Sequence, residues 1–170
     1  LAIIRQGGGV DALLERRRQQ DGGLDISPGE LEGRSQRSAL FKTMFLAFRE
    51  SGARDWHSQL EIALSHRGAQ HRVQFHHIFP KAVLKGRYTQ REIDDIANLA
   101  FIGGRTNRQI SDKAPAACLP GIVAKGGARL FQAQCIPTGE DLLHVDAYRA
   151  FLAERRRLIS AQLNAFLGVA

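Results

Sequence analysis

His76, His77, Asn98 and Asn107 are the residues whose types and spacing could do chemistry in this sequence. The two histidines stand side by side in "VQFHHIFPKAVL", at the end of an alternating apolar stretch. Asn98 opens "NLAFI", and Asn107 lies in "TNRQ". An imidazole titrates near neutral pH, so a histidine can take a proton from water with little adjustment of its pKa. A neutral imidazole and a side-chain amide oxygen can also both hold a divalent ion. The ligands of such an ion must converge from elements held apart in sequence. Taken alone, the histidine pair reads as two surface residues at a strand end. Asn98 alone is a turn asparagine, and Asn107 alone an N-terminal helix residue.

The elements that must aim these residues are readable from periodicity. "HRVQFHH" alternates, with Val73 and Phe75 expected to face inward, and Pro80 stops the strand because it has no N–H for a ladder. Thr89 and Glu92 form a capping box, which predicts a short helix from Gln90 to about Ala97. "NLAFI" is a second strand, ended by Gly103 and Gly104. In "TNRQ" Thr106 is expected to cap a helix that starts at Asn107 and stops before Pro115. The order strand, His-His, strand, helix is a β-β-α unit able to aim a His and an Asn at one point.

Around this unit the chain reads as helical. "VDALLERRRQQ" predicts a short helix, and "SPGE" at Ser27–Glu30 is a helix start. Leu40, Phe41, Met44, Phe45 and Phe48 recur at helical spacing and predict a core stripe. "QLEIAL" is a possible strand. Residues Lys113–Gly139, punctuated by Gly and Pro, are expected to be irregular, and one long amphipathic helix is expected from Glu140 onward. "ERRR" at Glu154–Arg157 is either a solvated face or a phosphate contact on that helix. His71 reads as a strand-surface residue, and His57, His66 and His144 as structural. The fold class is α+β, mostly helical. We divide it as 1–65 helical, 66–120 the β-β-α core, and 121–170 an irregular segment and a long helix, all in one domain.

Composition narrows the partner. The chain of 170 residues carries a net charge of +7 and a pI near 10.1, which suits a polyanion. Between His66 and Lys113 nine Lys/Arg stand against four Asp/Glu, which is five of the seven net charges, and four of the six histidines fall there too. Arginine outnumbers lysine 19 to 5, which bidentate phosphate contact and a GC-rich coding sequence explain equally well. Two cysteines without a C-x-x-C pair exclude a four-cysteine zinc knuckle; they read as reduced buried thiols, with a single disulfide the open alternative. No apolar run approaches the ~18 residues of a membrane span. The start at Leu1, without a signal peptide, suggests a piece of a longer intracellular, cytoplasmic protein.

The blocks "HHIFPK", "DDIANLAFI" and "TNRQISDKAP" together resemble an HNH nuclease, the ββα-metal motif. The resemblance is strongest to the C-terminal nuclease module of GmrSD-type restriction proteins and of SspE-like antiphage proteins. It runs from about His71 to Pro120, with weaker similarity in "ARDW" and in "RRRLISAQLNAFL". It implies His77 as the general base, Asn98 as the catalytic-motif residue that ties the loop between the strands, and Asn107 as a metal ligand. His76 stands where many members carry an acidic ligand. That departure leaves the ion without an anionic protein oxygen, unless Asp94 or Asp95, which otherwise read as a solvated helix face, supplies one. The His77–Asn98 interval of 21 is longer than in minimal units, and the surplus is the capped helix.

The resemblance further implies metal-assisted hydrolysis of DNA phosphodiester bonds, with nicking as the product of a single site. It implies Mg2+ first, with a histidine ligand admitting Mn2+, Ni2+ or Zn2+ beside it more readily than an aspartate would. Arg105, Arg108, Lys113 and Lys81 are the expected phosphate contacts, each with a surface-charge alternative. An N-terminal nucleotide-sensing or NTPase domain is the expected partner in the full-length chain. Two alternatives stay open: a catalytically silent DNA-binding module of the same fold, and a toxin-like nuclease acting on RNA.

Overall fold

A computed structural model describes residues 25–169, together with Ala12 and Arg16. The helix expected in "VDALLERRRQQ" lies outside the described residues, apart from those two. In chain order, a 3-10 turn at Pro28–Leu31 precedes α1 (Ala39–Glu50), α2 (Gly68–His71) and β1 (Val73–His77). Then come α3 (Lys81–Leu84), α4 (Gln90–Ile93), a 3-10 turn at Ile96–Asn98, and β2 (Leu99–Gly103). After β2 run α5 (Gly104–Ile110), α6 (Pro115–Gly126), α7 (Arg129–Gln132), two 3-10 turns and α8 (Tyr148–Leu167). The class is mixed α and β, mostly helical, with one two-stranded sheet among the described residues.

β1 and β2 pair antiparallel, with Phe75 opposite Phe101, His76 opposite Ala100 and His77 opposite Leu99. Alternation then assigns the faces. α1 covers one of them. Its stripe of Phe41, Met44, Phe45 and Phe48 is buried, and the Phe101 ring lies 5.0 Å from Phe41 and 5.1 Å from Phe45. Ser38 starts α1 by accepting the Phe41 N–H. Such aromatic contacts add to an area term of about 1.5–3 kcal/mol for each fully buried side chain. The buried apolar residues form one continuous cluster that reaches Leu31, Phe79, Phe131 and α8.

Several local expectations change once packing is visible. Phe75 is 48% exposed at the rim of the α1 face, and the residue that goes inward beside it is His76. The helix after Thr89 stops at Ile93 and resumes as a 3-10 turn, because Asp95 turns inward, wholly buried. There Asp95 accepts from Gly33 N, Ala97 N and Arg156 Nη2, so it is not a solvated helix residue. "QLEIAL" contributes a single bridge between Arg54 and Glu61 instead of a strand. His71 ends α2 instead of lying on a strand. The 113–139 stretch contains α6 and α7. Pro115 starts α6 in the first turn, where its missing N–H costs nothing, and Pro120 is accommodated in the interior. The last helix begins at Tyr148, after two 3-10 turns, later than Glu140. "SPGE" forms one 3-10 turn, with Glu30 reaching back to Ser27 N.

"ERRR" is only in part a solvated face, because Arg155 and Arg156 turn inward. Only Glu154 and Arg157 pair on the surface. Arg155 is wholly buried and donates to the carbonyl oxygens of Ala97, Leu99, Gln134 and Cys135. Burial pulls its guanidinium pKa down to about 10, still charged at neutral pH. Gln134 meanwhile exchanges two 2.9 Å hydrogen bonds with the N–H and C=O of Phe101, closing the free edge of β2 as a strand would. Arg155→Met strips four carbonyls of their donor where water does not reach. It should cost about 3–5 kcal/mol, with Arg155→Lys recovering part. Urea midpoints measure this, and a wild-type midpoint for Arg155→Met would contradict the role.

Candidate active site

His76 and Asn107 are 31 positions apart in sequence and meet in space. His76 Nδ1 stands 2.8 Å from Asn107 Oδ1. The carboxamide oxygen only accepts, so Nδ1 carries the hydrogen in this arrangement. His76 is 4% exposed, with the Trp56 ring edge-on at 5.8 Å. Burial, first, and the neighbouring His77, more weakly, pull its pKa below 6.5 against the Asn107 hydrogen bond. It is therefore neutral at pH 7, the form that binds metal.

Asn107 is aimed by the β2–α5 junction. α5 begins at Gly104, one turn earlier than a Thr106 cap would place it, and Gly103 is the N-cap. Thr106 is buried within the helix and donates to Asp55 Oδ2 at 2.6 Å. Asp55 also accepts from Gly103 N, and from Ser58 through its N–H and hydroxyl. Gly104 is required by close approach: a Cβ there would stand 2.3 Å from the Ala69 carbonyl oxygen of α2. Arg108 Nη1 donates to that same oxygen. Sequence reasoning missed Asp55. Its only signal was the Asp-Trp dipeptide "DW", where a Ser three residues after the Asp suggests a local carboxylate cap.

His77 turns the other way, as the next residue on a strand must. Its side chain is 22% exposed, and Nε2 lies 3.3 Å from Asp94 Oδ1. The same oxygen accepts from Lys81 Nζ at 2.6 Å. Burial, then the Lys81 charge, lower the His77 pKa below 6.5, against the raising effect of Asp94. His77 is thus also neutral at pH 7. Asn98 lies behind it, wholly buried. It accepts from Phe79 N and donates to the carbonyls of Phe79 and Ile93, while its own carbonyl accepts from Ile78 N. One side chain therefore ties the turn after His77 to the end of α4.

The structure brings His76 to Asn107 on one face of β1, and His77 and Lys81 to Asp94 on the other, with Asn98 as the tether behind His77. Arg105 and Arg108 are exposed on α5. Lys113 joins Lys125, Gln109 and Trp56 around a cleft of about 330 Å3 beside α5. Among the described residues no three His, Cys, Asp or Glu side chains form a ready metal cage. The two donors that meet, an imidazole and a carboxamide oxygen, suit a hard or borderline ion in kind. To bind one through Nδ1, His76 would carry its hydrogen on Nε2 instead, exchanging the hydrogen bond to Asn107 for the metal bond. The remaining positions would fall to water and phosphate oxygens.

Asp55 generates a pH-dependent expectation. Burial pushes its carboxyl up, but the hydrogen bonds from Thr106, Ser58 and Gly103 outweigh this and hold it below its usual 3.8. The charged form therefore contributes stability above pH 3.8, and this is lost as pH falls through the lower folded value. Asp55→Asn should be about 1–3 kcal/mol less stable than wild type at neutral pH. The gap should narrow below pH 3.8 in denaturant midpoints measured across pH; a gap that stays constant into acid would contradict the assignment. No known protein family, curated protein or solved structure matches this chain.

Proposed function

We propose that this chain is a metal-dependent endonuclease of the HNH type. It hydrolyses DNA phosphodiester bonds and nicks one strand per site, in restriction or antiphage defence. The observation that carries the reading is the meeting of His76 and Asn107 at 2.8 Å, with the next residue of the strand, His77, neutral and partly exposed. An antiparallel strand pair followed at once by a helix brings these residues together.

His76 and Asn107 would hold the ion, Mg2+ in the first instance, with Mn2+, Ni2+ or Zn2+ as alternatives. The chemistry such an ion would supply is neutralisation of phosphate charge and stabilisation of the leaving 3′ oxygen. His77, neutral and within reach of solvent, takes the proton of a water that attacks phosphorus in line. Asn98 keeps the turn after His77 from shifting, which holds the ring at a fixed angle. Arg105, Arg108 and Lys113 are exposed cations without a carboxylate partner among the described residues, and they would contact phosphates flanking the cut. Lys81 is partly spoken for by Asp94.

Supercoiled plasmid tests the reading directly. Wild type with Mg2+, Mn2+ or Ni2+ should relax it. His77→Ala should cut about 10²–10⁴-fold more slowly, the worth of a general base. Asn107→Ala should require more metal for the same rate. DNA retention without relaxation under any of the three ions would sink the enzyme and leave the silent binding module.

A further inference from the structure

We infer that Asp94 is the positioning residue of His77, fixing its ring as the Nε2–H form and leaving Nδ1 as the free base. The inference rests on the reading of His77 as general base, and it explains why the segment between His77 and Asn98 is long. The surplus of that 21-residue interval is α4 with its flanks. Asp94 is the residue that ends α4, in the C-cap position. The insert therefore carries a carboxylate from outside the β-β-α unit to the ring of His77.

Four contacts hold Asp94 in place. Gln90 Nε2 donates to Oδ2, and Lys81 Nζ donates to Oδ1 at 2.6 Å. Its own N–H donates to Gln90 O. The preceding carbonyl, Ile93 O, accepts from Asn98 Nδ2. The following residue, Asp95, is wholly buried against Arg156. Asp94 is thus pinned on both sides while its carboxylate stays 38% exposed beside His77.

The chemistry follows from the donor inventory. An ionised carboxylate only accepts, so the ring nitrogen facing it must carry the hydrogen. That nitrogen is Nε2, at 3.3 Å. A neutral imidazole has one N–H, so Nδ1 keeps its lone pair and can take a proton from water. Without Asp94 the two tautomers would compete, and only a fraction of molecules would present the base. Asp94 does not complete the His76–Asn107 donor pair, because the strand turns His76 and His77 to opposite faces.

The test reads the tautomer itself. Histidine labelled with nitrogen-15 in the metal-free protein, at a pH where the rings are neutral, distinguishes Nε2–H from Nδ1–H by long-range proton–nitrogen correlations. Wild type should show His77 as Nε2–H. Asp94→Leu should convert it to a mixture and lower kcat roughly 10–100-fold with KM little changed. Asp94→Asn retains an accepting oxygen and should restore both the tautomer and most of kcat. Lys81→Met removes the competing donor and should leave Nε2–H in place. Unmoved His76 signals show that each variant keeps its fold. Nε2–H persisting in Asp94→Leu overturns the inference, and so does its loss in Lys81→Met. Wild type that cuts no DNA refutes the nuclease reading alone, since the tautomer result needs no catalysis.

Discussion

The guanidinium of Arg155 is the interaction on which the rest of the molecule leans. It sits wholly buried and spends its donors on backbone carbonyls at the start of β2 and in the turn after α7. Ala97 and Leu99 flank Asn98, so one side chain of α8 fixes the backbone on both sides of the tether residue. A buried cation is expensive unless its hydrogens are satisfied. Here carbonyl dipoles do this, and the cost of breaking the arrangement makes the position of β2 unique. Gln134 extends the same logic by acting as a side-chain strand along Phe101.

From that fixed strand the candidate site is built by two further buried polar groups. Asn98 looks backward along the chain, tying Phe79 and Ile93 together so that His77 leaves β1 at a set angle. Asp55 looks forward, holding Gly103 and Thr106 so that α5 leaves β2 at a set angle and presents Asn107 to His76. Both groups are buried away from solvent. Each converts a flexible junction into a rigid one by satisfying backbone N–H groups that burial would otherwise leave unpaired. The two histidines then differ by environment. His76 is enclosed by Trp56 and Asn107, and His77 opens toward solvent, Lys81 and Asp94.

Much of this was legible because it rests on local rules. Alternation marked β1, helical spacing marked α1, and the Thr89–Glu92 pair marked the start of α4. Three of the differences share one cause. Thr106, Asp95 and Arg155 were each read by a surface or capping rule, and each turned out to be a buried polar group with a partner far along the chain. Asp55 lies 51 positions from Thr106, Arg156 lies 61 from Asp95, and Ala97 lies 58 from Arg155. Local propensity carries no information about such pairings. Proline misled in a similar way, since α6 tolerates two of them where the surrounding packing supports the helix.

What the sequence by itself determined is the order of the elements and the chemical kinds present. These are the adjacent histidines ending a strand, an asparagine opening the next strand, an asparagine in the helix that follows, and a basic surplus around them. These depend on side-chain periodicity and on functional groups, which are properties of neighbours in the chain. Only the tertiary structure decided which groups share a point in space. It paired His76 with Asn107, set the partly exposed Asp94 against His77, and removed Arg155 and Asp95 from the surface. Those outcomes follow from the need to satisfy every buried donor, acceptor and charge at once. That requirement applies to the packed molecule as a whole and not to any single segment.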